Sequence, residues 1–263
     1  METKNLPKLT VVTISYNNKE DIEETIRSVI CQNYENLEYI IIDGASTDGT
    51  VDIIKKYENQ ITFWISEKDK NLYDAMNKGI KYATGEWIIF MNAGDKFYDC
   101  SVINDIFNYN NLNKINNADL IYGNVCKNYG DFKKIEKAKD INNLWKGMVF
   151  SHQSLFVRTK LMKEHPFNMN LRIAADFDFI FHMYTLGYKF LYIDRTISEI
   201  DTTGLSNIER IKSTLERLKI VKKYKKDIKV NIFYYWLAFD TAIRKIAKKI
   251  LPKKIVNLII QKK

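Results

Sequence analysis

Two short apolar runs, each ending abruptly in carboxylates and small polar residues, constrain this chain most: Ile40-Ile-Ile-Asp-Gly-Ala-Ser-Thr-Asp-Gly-Thr50 and Phe90-Met-Asn-Ala-Gly-Asp95. They fit strands of an open parallel sheet, where the ligand crevice lies beyond the carboxyl ends of the strands, so acidic groups at two tips can converge on one ligand. Asp43 and Asp95 are therefore candidates for holding a nucleotide and a metal ion. The surrounding pattern agrees. Residues 9–15 form a β-branched apolar run that reads as a buried strand. Asn17 or Asn18 then caps a helix that buries Ile22, Ile26, Val29 and Ile30 on one stripe. Residues 37–42 read as the second strand, and Asp48 caps a helix over 50–57. Residues 61–65 and 86–91 give two more strands on either side of a helix over 73–83. Such alternation predicts an α/β fold with a doubly wound, mainly parallel sheet flanked by helices, because each parallel crossover needs a helix to return the chain.

Beyond residue 100 the pattern is weaker. Residues 108–117 are Asn-rich and loop-like, while 121–125 and 154–157 read as strands of a mixed second half. Ile211, Leu215, Leu218 and Val221 mark an amphipathic helix over 208–224, followed by an aromatic, aliphatic and basic segment over 230–260. The expected division is a catalytic body over 1–206, with its nucleotide half at 1–100 and a second half at 101–206, then a basic helical extension over 207–263. Charge follows that division. The extension holds 17 Lys plus Arg against 4 Asp plus Glu, a net of +13, which leaves the body at −4 within the chain's total of +9. An acidic body with a cationic end suggests an anionic surface as the partner of the extension. A nucleic-acid partner is not expected, because the cations alternate with bulky aliphatics instead of lining a polar groove.

Cys31, Cys100 and Cys126 lack the paired spacing of zinc or disulfide frameworks and read as reduced thiols. No apolar stretch precedes the first strand, so the expected location is cytoplasmic, peripheral on the inner face of the cell membrane.

A nucleotide diphosphate is usually neutralised by a hard divalent cation held by one or two carboxylates and the phosphate oxygens. Asp95, after a strand and inside an Ala-Gly turn, is placed for that, and the small Ala93 leaves room for a sugar. Taken alone, Asn92-Ala-Gly-Asp95 equally fits a plain turn. Five segments in order give it company: Val12-Thr-Ile-Ser-Tyr-Asn17, Ile42-Asp-Gly-Ala-Ser-Thr-Asp-Gly-Thr50, Ser66-Glu-Lys-Asp-Lys-Asn-Leu-Tyr-Asp-Ala-Met-Asn-Lys-Gly79, Ala83-Thr-Gly-Glu86 and Phe90-Met-Asn-Ala-Gly-Asp95. Together they resemble the motifs of family 2 glycosyltransferases, inverting enzymes of the GT-A fold, over roughly residues 8–205, and look most like the members that assemble bacterial polysaccharides.

The resemblance implies that Thr13, Ser15 and Tyr16 line the nucleotide pocket, with Asp43 on the base or ribose. It places Asp74 and Asn77, which share a helical face, near nucleotide and sugar. The family's metal motif usually reads Asp-x-Asp or Asp-Asp. This chain offers Asn92 and Asp95, so Asp95 is expected to hold Mg²⁺ or Mn²⁺ alone among carboxylates, with Asn92 or Ala93 touching the nucleotide. Ala174-Ala-Asp-Phe-Asp-Phe179 resembles the second-half motif, with Ala175 at its first acidic position, Asp176 as the matching general base and Asp178 as runner-up. Ser151-His-Gln-Ser154 resembles a segment facing the acceptor, which makes His152, Gln153 and Asp178 candidate acceptor contacts. Asp201-Thr-Thr-Gly-Leu-Ser206 resembles a Gly-rich flap.

The implied activity is transfer of a sugar from a nucleotide-diphosphate donor to a glycan or polyprenyl-linked acceptor. Because one motif carboxylate is missing, a nucleotide-sugar-binding or scaffold protein with decayed catalysis is the alternative. The extension cannot span a bilayer, since its longest uncharged run covers only 230–239 where roughly twenty residues are needed. It fits a helix in the lipid headgroup region, or one packed on the body or on a second subunit of a homo-oligomer.

Overall fold

The computed structural model describes residues 6–108, 110–201, 209–225 and 227–250. The flap segment beyond Asp201 and the last part of the basic extension lie outside them. The chain forms strand β1 (Leu9–Ser15), helix α1 (Ile22–Ile30), β2 (Leu37–Asp43), α2 (Thr50–Lys56), β3 (Phe63–Ser66), α3 (Leu72–Tyr82) and β4 (Trp87–Phe90). There follow β5 (Lys96–Phe97), α4 (Val102–Phe107), α5 (Leu112–Asn116), β6 (Leu120–Asn128), β7 (Lys133–Glu136) and β8 (Leu155–Arg158). The chain continues through α6 (Thr159–Glu164), α7 (Ala175–Thr185), β9 (Phe190–Asp201), α8 (Arg210–Tyr224) and α9 (Ile228–Ile250).

The nine strands of the described residues join one sheet in the order β3-β2-β1-β4-β8-β6-β9-β5, with β7 paired to β6. β1 to β4 are parallel, and β8 runs against both β4 and β6, so β6 and β9 point the same way as the first four. The order reverses between β1 and β4, which is where a doubly wound sheet opens its ligand crevice.

Alternation along the strands explains why both faces are covered. Val12, Ile14, Ile40, Ile42, Ile88 and Phe90 point into one core layer with Met76, Phe177, Leu218 and Tyr234. Val11, Ile41, Trp87 and Ile89 point into the other with Ile22, Ile26, Ile54 and Phe107. A strand apolar on both sides is stable only with helices on both sides. Leu218, Val221, Val230 and Tyr234 belong to the first layer, so α8 and the start of α9 are built into the body.

At the amino-terminal edge of the sheet a buried carboxylate fastens three segments. Glu38 on β2 is 5% exposed and accepts from Thr10 Oγ1 at 2.6 Å, Thr84 N at 2.7 Å and Lys8 Nζ at 2.9 Å, and from the Thr84 hydroxyl. Burial raises its pKa, but these four donors outweigh it and hold the carboxyl down at about 2.

Several sequence expectations need correction. Neither Asn17 nor Asn18 caps α1 by its side chain: Asn17 sits at φ 49° and accepts from Thr47 N at 2.9 Å, which ties the loop after β1 to the loop after β2. The Asn-rich stretch is not all loop, because Leu112 and Ile115 are buried and drive the short helix α5. Leu215 is exposed, and α8 instead buries Ser213, Thr214, Leu218, Ile220 and Val221. Cys31 and Cys100 form a disulfide with a Cα–Cα distance of 5.2 Å, across 69 residues of sequence. Local spacing carries no sign of it. The fold brings the two together through Asn33 N donating to Cys100 O at 3.0 Å and Gln32 Nε2 donating to Asp99 O at 2.7 Å. Cys126 is free and buried.

Candidate active site

The turn after β4 is built by its own sequence and by one residue of α1. Gly94 sits at φ 95°, a conformation that glycine adopts without strain. Asp95 N donates to Asn92 O at 2.8 Å, and Thr25 Oγ1 accepts from Gly94 N at 3.0 Å while donating to Asp95 O at 2.7 Å. The Asp95 side chain is thereby aimed into a cavity of about 690 Å³ that Asn92, Ala93, His152, Gln153, Tyr73 and Asp176 also line.

The His152–Ser154 turn enters from the second half. Ser154 Oγ anchors it, donating to Asn124 O at 3.0 Å and meeting Ser198 Oγ at 2.6 Å. Gln153 Oε1 accepts from the Ser151 hydroxyl, so the amide nitrogen is left to donate to Asp95 Oδ2 at 2.8 Å. His152 bridges the two halves, with Nδ1 at 3.2 Å from Asp176 Oδ2 and Nε2 at 3.4 Å from Asn92 Nδ2.

Asp176 is held at the first turn of α7, where the helix dipole favours a carboxylate. Its Oδ1 accepts from Phe177 N at 2.8 Å. Burial raises its pKa, but the bond and charge of His152, the Phe177 amide and the Arg217 charge prevail and lower it. The partner moves the other way: burial pulls the His152 pKa down, and the bond to Asp176 with the charges of Asp176 and Asp95 push it up. Asp95 is pushed up to about 6, chiefly by burial, with the Gln153 bond and His152 opposing and Asp201 adding.

Three side chains that sequence reasoning missed hold this arrangement. Glu216 on α8 accepts from Ile173 N and Ala174 N at 3.0 Å each and from Arg172 N at 3.3 Å, satisfying amides that lead into α7. Tyr73 OH accepts from Ala175 N at 3.1 Å. Arg217, next to Asp176 in the cavity wall, is steadied by Ser213 Oγ at 2.7 Å. Only the fold brings α8 to the start of α7, so no local motif announced Glu216 or Arg217.

Other expected residues sit elsewhere. Thr13 is fully buried, with its hydroxyl on Met91 O at 2.8 Å and Tyr39 OH at 3.0 Å, so it braces β1 against its neighbours. Asp43 is fully buried too and does not line the cavity: it accepts from Ser46 N at 2.9 Å and from the Ser46 and Ser66 hydroxyls, which shapes the loop after β2. Ser15 Oγ is buried without a partner at the tip of β1. Tyr16 is 65% exposed. Gly44 lies against it, and a Cβ at position 44 would stand 3.2 Å from the Tyr16 ring and 3.0 Å from Asp69 Oδ2.

Asp69, in the third motif segment but without an expected role, thus flanks Gly44 together with Tyr16 and is ion-paired to Lys78 at 2.7 Å. Asp74 accepts from Lys70 N at 2.9 Å. Asn77 spends both ends of its amide on the Phe167 backbone, at 2.9 and 3.0 Å, as a latch between the halves. Asp178 faces away from the cavity toward Lys223, 3.8 Å off, because two residues along a helix turn the side chain to the far side.

Among the described residues no group of three or more His, Cys, Asp or Glu is arranged to hold a metal ion. The turn after β4 does offer a carboxylate, Asp95, beside an orphaned buried amide oxygen, Asn92 Oδ1. One carboxylate and one neutral oxygen fit a hard cation whose remaining ligands come from phosphate and water.

Comparisons with known proteins agree with this geometry. The Glycosyl transferase family 2 model matches residues 10–177. A PGL/p-HBAD biosynthesis glycosyltransferase of Mycobacterium bovis is 27% identical over 219 residues, which cover 81% of this chain and 84% of the relative. Among solved structures, S. aureus TarS in complex with UDP-GlcNAc aligns with a TM-score of 0.65 at 18% identity, covering 81% of this chain and 65% of that one. The mannosyltransferase PcManGT from Pyrobaculum calidifontis, in complex with GDP-Man and Mn²⁺, aligns with a TM-score of 0.66 at 16% identity, covering 98% of this chain and 80% of that one. With an α/β sheet of this order and a family match over well more than half its length, the chain belongs to the family 2 glycosyltransferases and has their GT-A fold.

Proposed function

We propose that the protein transfers a sugar, with inversion, from a nucleotide-diphosphate donor to a hydroxyl of a glycan or lipid-linked glycan in surface polysaccharide biosynthesis. The observation that carries this reading is the convergence of Asp95 and Asp176 on one cavity, joined through Gln153 and His152 at the carboxyl end of the parallel strands. Direct displacement at an anomeric carbon needs a base for the acceptor proton and stabilisation of the departing diphosphate.

Asp176 is the general base. His152 orients its carboxylate, and Glu216 and Tyr73 fix the start of the helix that carries it. The base end of the donor lies over Tyr16, Gly44 and Asp69, with the orphaned Ser15 hydroxyl at the same strand tip. Asp43 supports that end through the loop it brackets. Asp95 and Asn92 Oδ1 would hold a Mg²⁺ or Mn²⁺ ion, which when bound neutralises the diphosphate. Ala93 leaves space for the donor sugar, and Gln153 keeps Asp95 in place. The nucleotide-sugar complexes of the two structural neighbours support a donor of this class, and the mycobacterial relative's name as a biosynthetic glycosyltransferase supports the transfer itself.

A thermal-shift screen of UDP, GDP, ADP and CDP, with and without Mn²⁺, tests the donor end, because a ligand bound only by the folded state raises Tm. One diphosphate should raise Tm, more strongly with Mn²⁺, and Asp95→Ala should abolish the Mn²⁺ increment. No shift with any of them would overturn the reading. Glu216→Ala should lower kcat about tenfold with nucleotide affinity kept, a modest share of what a general base contributes, and Glu216→Gln, whose amide oxygen still accepts, should recover part of it. Equal kcat in all three proteins would remove Glu216 as a positioning residue.

A further inference from the structure

Over residues 228–243, helix α9 is covered on one side only. Val230 and Tyr234 are fully buried, and the Phe233 ring lies 5.5 Å from that of Trp145. On the outer side Ile228, Ile232, Tyr235, Trp236, Phe239 and Ile243 are each between 49% and 71% exposed. Steps of three and four residues put these six on one stripe of roughly 100°. A contiguous row of Trp, Tyr, Phe and Ile is not ordinary solvent-facing surface.

Its chemical setting identifies the partner. Lys222 and Lys225 border a hollow shared with Asp227 and Ile228, at the amino end of the stripe, and Lys219 is exposed on α8. Apolar and aromatic side chains in a helix plane with cations beside them match the acyl–headgroup boundary of an anionic bilayer. A second copy would bring one strongly cationic extension against another. No helix among the described residues is long and apolar enough to cross a membrane, so the contact is parallel to the surface.

We propose that the outer face of α9 docks on an anionic lipid surface. The inner side of the same helix closes the cavity of Asp176 with Leu237 and Thr241. The α9 wall of that cavity therefore lies about one helix diameter, ~10 Å, from the lipid. On the transferase reading, on which this second step rests, the acceptor is a glycan whose anchor stays in the bilayer.

The test is co-sedimentation of the full chain with vesicles of phosphatidylglycerol and phosphatidylcholine, or of phosphatidylcholine alone. Binding should favour the anionic vesicles and weaken with added salt. The double variant Trp236→Ser, Phe239→Ser should lose at least tenfold in vesicle partition while keeping its melting temperature and its shift with nucleotide diphosphate. Lack of vesicle binding by the parent chain, or equal binding by the variant, overturns the proposal. So does a variant that turns a dimer into a monomer on size exclusion without changing vesicle binding. Vesicle binding without any nucleotide shift would instead sink the transferase reading and leave the lipid contact standing.

Discussion

Asp176→Asn is expected to lower kcat by about 10³-fold, within the range that a positioned general base contributes, while leaving the affinity for the nucleotide diphosphate unchanged. The asparagine keeps the shape of the side chain, and its single amide oxygen can still accept from Phe177 N while its amide nitrogen takes the place of the oxygen that faces His152 Nδ1, so the start of α7 should hold its conformation. What it loses is the capacity to take a proton. On the proposed reading the donor is held by Tyr16 and the turn after β4 and not by Asp176, which is why binding and turnover should separate. Steady-state kinetics with a nucleotide-sugar, beside a thermal shift with the diphosphate, measures both. Retained turnover would show that the base is another group, and the first to try is His152, whose Nε2 faces the cavity side of the same pair.

The second large effect concerns stability. Glu38→Gln should cost about 3 kcal/mol at neutral pH, since each unit of pKa depression is worth about 1.4 kcal/mol, and the folded carboxyl sits at about 2 against an ordinary 4.5. A carboxyl depressed on folding stabilises the protein above its unfolded pKa, and that contribution fades as pH falls through the folded value. The gap between parent and variant should therefore be full at pH 7, nearly full at pH 4.5, and narrow steadily toward pH 2. Urea unfolding at a series of pH values would measure it. An equal gap at pH 7 and pH 3 would mean that packing, not charge, is what Glu38 supplies. Because this cluster lies at the amino-terminal edge of the sheet, the variant should keep its kcat wherever it is folded.

The first four strands were legible because each parallel crossover is local: an apolar run, a polar tip, an amphipathic helix and the next run. The roles of individual motif residues were not legible. Asp43 and Asn77 stand in motif positions, yet the structure spends them on Ser46, Ser66 and the Phe167 backbone. Nothing in their local sequence distinguishes a carboxylate that meets ligand from one that shapes the loop beside it.

The second half was harder for a physical reason. β9 carries Asp194, Arg195 and Glu199 inside a strand, each paired across the fold, Arg195 with Asp99 and Asp105 and Glu199 with Lys133. Charged strands of that kind show no hydrophobic period. The Cys31–Cys100 bond and the hold of Glu216 on α7 are likewise long-range facts, visible only once the sheet has placed their partners.

The position of β8 bears on how such a molecule came to be assembled. The amino-terminal hundred residues look like a module that could be cut out and joined to other second halves. Yet β8, formed more than sixty residues later, takes up the hydrogen-bonding edge of β4. A fragment ending near residue 100 would present that edge uncovered, ready to recruit strands from its neighbours and aggregate. Exchange of donor specificity between relatives is thus better attempted by grafting the tips of strands than by swapping halves.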